Sequence, residues 1–172
     1  MLRLLRAKLG LTTEAEHDQA LFDAMFAAMQ RSHVDFTQFF RALGDVKADD
    51  ATGDTALRDM FIERDVFDAW VATYRTRLRS EHSDDVQRRA AMNAVNPKYV
   101  LRNYLAQVAI EKAQQGDFSE VTRLLAVLEQ PFDDQPGHWR RQVTVVLPDQ
   151  RRQPVPGLAW DPRDPRPRQR NM

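Results

Sequence analysis

Apolar residues recur every three or four positions along most of the chain, which is the spacing of one face of an α-helix. Strand-like alternation of apolar and polar residues is absent before residue 140. The pattern therefore predicts an all-α fold. The apolar stripes consist of Leu21, Phe22, Met25, Phe26 and Met29; of Phe36, Phe39, Phe40 and Leu43; of Leu57, Met60, Phe61 and Ile62; and of Phe67, Trp70, Val71, Tyr74 and Leu78.

Residues that begin or end a helix accompany these stripes. Side chains of Asp, Asn, Ser and Thr accept hydrogen bonds from the N–H groups of a first turn, and Gly adopts the left-handed conformation that often follows a last turn. Residues 45–54 are polar and contain Gly and Asp, so they are predicted to form a loop. The predicted boundaries are Gly10 after an N-terminal helix, the capping box Thr13 with Glu16, Asp35 with Gln38, Gly44, Asp65, and Ser83 or Asp84 before a helix to about Ala94.

A further helical stretch begins at the sequence Asn-Pro-Lys-Tyr-Val-Leu-Arg-Asn, residues 96–103. Asn96 is predicted as an N-cap and Pro97 as the first helical residue, where its missing N–H costs nothing. This helix should end at Gly116, and a second helix should end at Pro131. The apolar residues that should bury the first of these helices are Val100, Leu101, Leu105 and Val108.

Tyr99, Arg102 and Asn103 place polar groups on that helix, and two interpretations are open. In the structural interpretation, Arg102 and Asn103 hydrogen-bond to neighbouring loops or helix ends, as buried polar groups must. In the functional interpretation, Arg102 reaches an anion or an acidic partner. The structural interpretation is preferred because a buried arginine is usually paired within its own fold.

The charges of the 172 residues balance overall, with 25 basic and 25 acidic residues, so no global field indicates a nucleic-acid or membrane partner. No apolar run approaches the roughly 20 residues that a membrane span needs. The first six residues lack the features of a signal peptide, so the expected location is cytoplasmic. The absence of cysteine excludes disulfides, thiolate metal sites and cysteine nucleophiles.

The overall balance hides a division of the chain near residue 137. Residues 138–172 contain eight arginines, three aspartates and six of the nine prolines, which gives a net charge of +5 and leaves −5 for residues 1–137. Residues 141–147 could form a short strand, but a lone strand is not stable. The sequence therefore predicts a helical part, 1–137, and a disordered basic tail, 138–172. A nucleic-acid role for this tail would rest on charge alone.

No residue pattern in the chain indicates catalysis, nucleotide binding or metal binding. Glu14 and His17 are spaced i, i+3, but a di-metal bundle needs that pattern twice. In the acidic loop at residues 49–54, a calcium loop with Gly53 at its sixth position would place Ala48 where a carboxylate is required. Kinase chemistry needs a Gly-rich loop, a Lys–Glu pair and Asp or Asn metal ligands, and none is found. The four histidines, His17, His33, His82 and His138, are scattered.

Several segments, in order, resemble the C-terminal helical region of the selenoprotein O (SelO, YdiU) family over about residues 2–137. The resemblance implies a protein-kinase-like fold and transfer of AMP from ATP to Ser, Thr or Tyr hydroxyls of proteins, with Mg²⁺ or Mn²⁺. It also implies that the nucleotide and metal ligands lie upstream of this region. The matching segments are residues 8–11, 35–37, 40–43, 57–61, 67–70 and the run from Asn96 through Pro97, Tyr99, Arg102 and Asn103.

The resemblance implies a packing lobe that is inactive alone and binds no cofactor itself. Its partners would be the missing N-terminal catalytic portion and the protein substrates of the whole enzyme. The alternative is an independent helical module for protein–protein interaction. Members of the family commonly end in a cysteine-containing segment, and this chain departs from that ending after about Gly137. A frame shift in a GC-rich gene is our hypothesis for the tail, and it predicts such an ending in another reading frame after codon 137.

Overall fold

The computed structural model describes residues 2–135, and within them every regular element is an α-helix. The predicted all-α fold is confirmed for this part of the chain. The predicted tail, residues 138–172, lies outside the described residues. The helices are α1 (Leu2–Leu9), α2 (Asp18–Arg31), α3 (Phe36–Leu43), α4 (Thr55–Arg58), α5 (Arg64–Ser80), α6 (Asp85–Val95), α7 (Asn103–Gln114) and α8 (Ser119–Leu128).

One large apolar core joins the first six helices. Its centre is aromatic: the ring of Trp70 lies 5.3 Å from that of Tyr74 and 5.7 Å from that of Phe39, centroid to centroid. The two polar tips in this cluster are satisfied by backbone carbonyls. The indole N–H of Trp70 donates to Leu21 at 3.1 Å, and the hydroxyl of Tyr74 donates to Leu9 at 2.6 Å. The aromatic stripe of α5 is therefore the core face that its spacing predicted.

Helices α7 and α8 form a hairpin with a small apolar cluster of its own, composed of Leu105, Ala109 and Leu124. The chain around this hairpin leaves many large apolar side chains exposed. They are Leu101, Tyr104, Val108, Ile110, Phe118, Val121, Leu125 and Phe132. Exposed apolar surface is thus concentrated on the last two helices rather than on the body formed by α1–α6.

No helix within residues 2–135 combines the length and apolar character that crossing a bilayer would require.

Some predicted helix boundaries are confirmed and others are wrong. The carboxylate of Asp35 accepts from the amide of Gln38 at 2.9 Å, and that of Asp84 caps α6 through two amides, as predicted. Thr13 does not open α2, because its amide and hydroxyl both donate to Glu81 and the helix begins only at Asp18.

Two further boundaries differ at α4 and α5. Asp65 lies inside the first turn of α5, one residue after the helix begins at Arg64, and its side chain is not the N-cap. Helix α4 ends at Arg58, so Met60 and Ile62 of the predicted stripe lie beyond it. The predicted loop at residues 45–54 contains no helix, as expected.

Four helices end in a Schellman motif, in which two successive N–H groups return to carbonyls of the last turn. Gly10 and Gly116 occupy the left-handed position of two of them, with φ of 70° and 83°, as their sequence positions indicated. In the other two the same position holds His33 and His82, with φ of 51° and 52°. These two positions were not predicted from the sequence, because a non-glycine residue with positive φ is uncommon, although histidine is among the enriched types.

Replacement of Gly10 by alanine is expected to destabilise the chain more than the same change at Gly116. Both substitutions force alanine into the left-handed region, which costs about 1–2 kcal/mol. A Cβ at Gly116 meets nothing within 4 Å, whereas at Gly10 it would lie 2.3 Å from Cγ of Arg88 and 2.8 Å from Cγ of Met92. Urea unfolding should show about 1–3 kcal/mol more loss for Gly10→Ala. Equal losses would contradict the packing seen around Gly10.

Candidate functional site

Asn96 ends a helix instead of beginning one, so its prediction as an N-cap is wrong. Its backbone N–H donates to the carbonyl of Met92 at 2.8 Å, and Asn96 is therefore the C-cap of α6. The residue before a proline is pushed out of the helical region, and Pro97 has no N–H with which to continue the helix. Pro97 therefore stops α6 rather than starting α7, which begins six residues later at Asn103.

Asn96 is buried, with 1% of its surface exposed. Its side chain and its backbone together join three helices. Its Nδ2 donates to the carbonyl of Lys8 at 2.8 Å, and its Oδ1 accepts from Nζ of the same residue at 3.2 Å. Its backbone carbonyl accepts from Arg41 of α3 at 3.2 Å, and Arg41 also donates to the carbonyl of Asn93 at 3.1 Å. Asn96 thus ties the ends of α1 and α6 to α3.

Residues 97–102 are not helical and form a strap between α6 and α7. The amides of Lys98 and Tyr99 donate to the carbonyl of Pro131 at 2.7 and 3.1 Å. The buried hydroxyl of Tyr99 accepts from the amide of Gln135 at 3.3 Å, and Lys98 pairs with Asp134. The strap therefore holds the chain that follows α8.

The predicted burial of α7 is confirmed only in part. Leu105 is buried, but Leu101 and Val108 are exposed. Leu101 lies on the strap, where the helical spacing that predicted its burial does not apply.

Arg102 lies at the surface and pairs with a helix cap. Its guanidinium lies 2.7 Å from the carboxylate of Asp35, whose other oxygen caps α3. Asn103 is the exposed first residue of α7. The five residues of the motif therefore do not converge on one pocket. Asn96 and Tyr99 are buried at separate positions, Pro97 and Arg102 are partly exposed, and Asn103 is exposed.

Asn96→Ala is expected to cost more stability than Arg102→Ala. Removal of the Asn96 amide leaves the carbonyl of Lys8 without its donor and the ammonium group of Lys8 with only the ring of Phe40, at about 2–3 kcal/mol. The Arg102–Asp35 pair is partly exposed, and Asp35 keeps its cap, so its loss should cost about 0.5–1 kcal/mol. Thermal unfolding of the two variants gives the comparison. A larger loss for Arg102→Ala would contradict this ranking.

A buried network of charged residues, which the sequence did not reveal, links α1, α2 and α5. Asp18 is 1% exposed and accepts from Arg77 and Arg6, each at 2.8 Å. Arg77 also donates to Glu81 at 3.1 Å. Burial alone would raise the pKa of Asp18, but hydrogen bonds from Arg77, Arg6 and the amide of Ala15 hold it below its ordinary value. In the sequence, each of these charged residues taken alone is compatible with an exposed helix face, so the network could not be predicted.

An open cavity of about 510 Å³ lies between α2 and α5. Its floor is apolar, and no cluster of charged groups converges on it. The cavity is lined by His17, Ala20, Leu21, Ala24, Asp65, Val66, Ala69, Trp70 and Thr73.

Comparison with known proteins decides the family. The sequence model of the family described as Protein adenylyltransferase SelO matches residues 1–129. The chain belongs to the SelO family. It is similar to the Protein nucleotidyltransferase YdiU of Herminiimonas arsenicoxydans, at 61% identity over 77% of this chain and 27% of that protein. It is also similar to the protein of the same name from Burkholderia pseudomallei (strain 1710b), at 57% identity over 79% of this chain and 26% of that protein.

These SelO relatives are nucleotidyltransferases by name, and the chain spans about a quarter of their length. The side chains described for residues 2–135 offer no site for a divalent metal ion. Within residues 2–135, no group of three or more His, Asp or Glu side chains could hold a metal ion. The buried carboxylate of Asp18 is already saturated by two arginines. We therefore assign no step of the SelO reaction to a side chain of this part of the chain.

Proposed function

We propose that the chain is the C-terminal helical part of a SelO-type protein adenylyltransferase and serves as a packing lobe for the catalytic portion. The observation that carries this proposal is the match itself. A family assignment that covers three quarters of this chain falls on only a quarter of each relative. The apolar surface of α7 and α8 supports it, because contiguous exposed apolar patches mark interfaces.

In this proposal the whole protein transfers AMP from ATP, with Mg²⁺ or Mn²⁺, to a Ser, Thr or Tyr hydroxyl of another protein. The hydroxyl oxygen forms a bond to the α-phosphorus, pyrophosphate leaves, and the hydroxyl proton passes to solvent or a base. Because ATP is the donor, the proposed compartment is the cytoplasm. In this proposal the chain does not take part in the reaction but holds the catalytic portion in position. Within the lobe, Asn96 and Tyr99 fix the ends of the helices and the strap.

The chain alone is expected neither to bind Mg-ATP nor to label any protein with AMP. Phosphoryl and nucleotidyl transfer need groups that cradle phosphates and hold metal. Within residues 2–135, no cluster of His, Asp or Glu side chains could hold a metal ion. Calorimetric titration with Mg-ATP and a labelled-ATP transfer assay test this. The intact Herminiimonas arsenicoxydans relative serves as the positive control. Micromolar ATP binding by the 172-residue chain would contradict the proposal.

Packing on a catalytic portion is tested by co-expression. The tagged chain is produced together with the remaining three quarters of the Herminiimonas arsenicoxydans relative as a separate polypeptide. Co-purification of the two is the expected result. Failure to co-purify would remove the packing-lobe proposal.

An independent protein–protein interaction module is the second candidate function. The observation that favours it is the continuous core of α1–α6, which buries Trp70, Tyr74 and Phe22 within residues 2–135. A domain with such a core can fold alone. A monomeric chain that melts cooperatively, binds no hydrophobic dye and fails to co-purify would favour this module over the packing lobe.

A further inference from the structure

Helix α8 and the residue before it carry a row of exposed apolar side chains. Phe118, Val121 and Leu125 are 60%, 42% and 57% exposed. Their spacing of three and four residues places them on one face of the helix. Glu129, four residues beyond Leu125, continues the same face. We call these four residues the α8 stripe.

The length of the stripe suits a helical partner. Phe118 and Glu129 flank the ten residues of α8, and the eleven steps between them span about 16 Å, or three turns. Apolar anchors spaced over two to three turns are the pattern by which one helix face lies against another. Leu124 and Val127, which face the interior, are buried, so the stripe is not part of the hairpin's own cluster.

The charge of the hairpin limits which partner can lie there. Residues 103–135 contain six carboxylates and two cations. Both cations are already paired with Glu120, Lys112 at 3.3 Å and Arg123 at 2.7 Å. Within the described residues, Glu129 and Asp133 form no ion pair. A second copy of this hairpin would bring like charges together, which disfavours self-association through the stripe.

We propose that the α8 stripe is the docking surface for a basic amphipathic segment in the part of the SelO protein that lies outside this chain. This inference rests on the proposed packing lobe and names the surface that it uses. About three quarters of the length of the relatives lies outside the matched region, and we place the partner segment there. Apolar side chains of that segment cover Phe118, Val121 and Leu125, and its cations pair with Glu129 and Asp133.

The test uses the co-expression of the tagged chain with the remainder of the Herminiimonas arsenicoxydans relative. The double variant Val121→Gln, Leu125→Gln removes two apolar anchors without changing charge. Ile62→Gln is the matched control, because Ile62 is 78% exposed and lies between α4 and α5, outside α8. Circular dichroism melting of each variant alone shows that it is folded.

The wild-type chain and Ile62→Gln should retain the remainder equally, and the double variant should bind at least about tenfold more weakly. A second pair of changes, Glu129→Gln with Asp133→Asn, should weaken binding and flatten its dependence on salt. If all variants retain the remainder equally, the α8 stripe is not the docking surface, and the packing-lobe proposal still stands.

If even the wild-type chain does not retain the remainder, both proposals are wrong. The chain alone could instead form dimers at high concentration that Leu125→Gln abolishes. That result would show that the α8 stripe binds a second copy of the chain and not a basic segment.

Discussion

Trp70→Ala is expected to lower the free energy of unfolding by about 3–5 kcal/mol, the range for truncation of a large buried aromatic residue. The change removes a ring that packs against Phe39 and Tyr74 and leaves the carbonyl of Leu21 without its donor. Both losses fall in the centre of the core. Urea unfolding followed by circular dichroism measures the effect.

Trp70→Phe separates the two contributions. Phenylalanine keeps most of the packing but cannot donate to Leu21, so this variant should lose about 1–3 kcal/mol. A loss for Trp70→Ala below about 1 kcal/mol would show that the core is not organised around this ring.

Asp18→Asn is expected to cost about 3 kcal/mol, because it removes the buried carboxylate charge that Arg6 and Arg77 share. Arg77 keeps Glu81 and Arg6 keeps Glu14, so the loss should stay below that for a completely unpaired charge. Asp68→Asn is the matched control. Asp68 pairs with Arg58 at 2.7 Å in an exposed position, and its loss should cost less than about 1 kcal/mol.

The pH dependence of stability provides a second measure of the Asp18 network. The pKa of Asp18 is lower in the folded chain than in the unfolded chain, because Arg77 and Arg6 stabilise the carboxylate more than burial destabilises it. Its contribution is therefore complete above the unfolded pKa of about 4 and is lost as the pH falls through the folded value. The difference in stability between wild type and Asp18→Asn should be constant at neutral pH and shrink in acid. A difference that grew in acid would contradict this network.

The spacing of apolar residues predicted most of the helices but not how their ends are held. The apolar stripe was sufficient to predict α5 and its buried face, because Phe67, Trp70 and Tyr74 all lie on one face of that helix. The capping box at Thr13 failed because a distant carboxylate, Glu81, took both of its donors. Local sequence cannot show a competitor 68 residues away.

The motif at residues 96–103 shows the same limit. Asn followed by Pro fits a helix start, but it equally fits a stop, since proline disfavours helix in the residue before it. Tertiary contacts decide between the two, because the side chain of Asn96 reaches back to Lys8. The positions of Arg102 and Asn103 on the surface follow from that choice, and neither could be predicted from the chain alone.

The separate apolar cluster of α7 and α8 bears on how the chain opens and closes. Leu105, Ala109 and Leu124 form a far smaller cluster than the core of α1–α6. The strap holds the chain after α8 through the carbonyl of Pro131 and through Asp134. Segments with few buried contacts open at lower free energy than the whole domain. The hairpin should therefore exchange its amide hydrogens by local unfolding while α2 and α5 exchange only on global unfolding. In the packing proposed above, the hairpin would become rigid on meeting its partner, so that assembly and final folding would be one event.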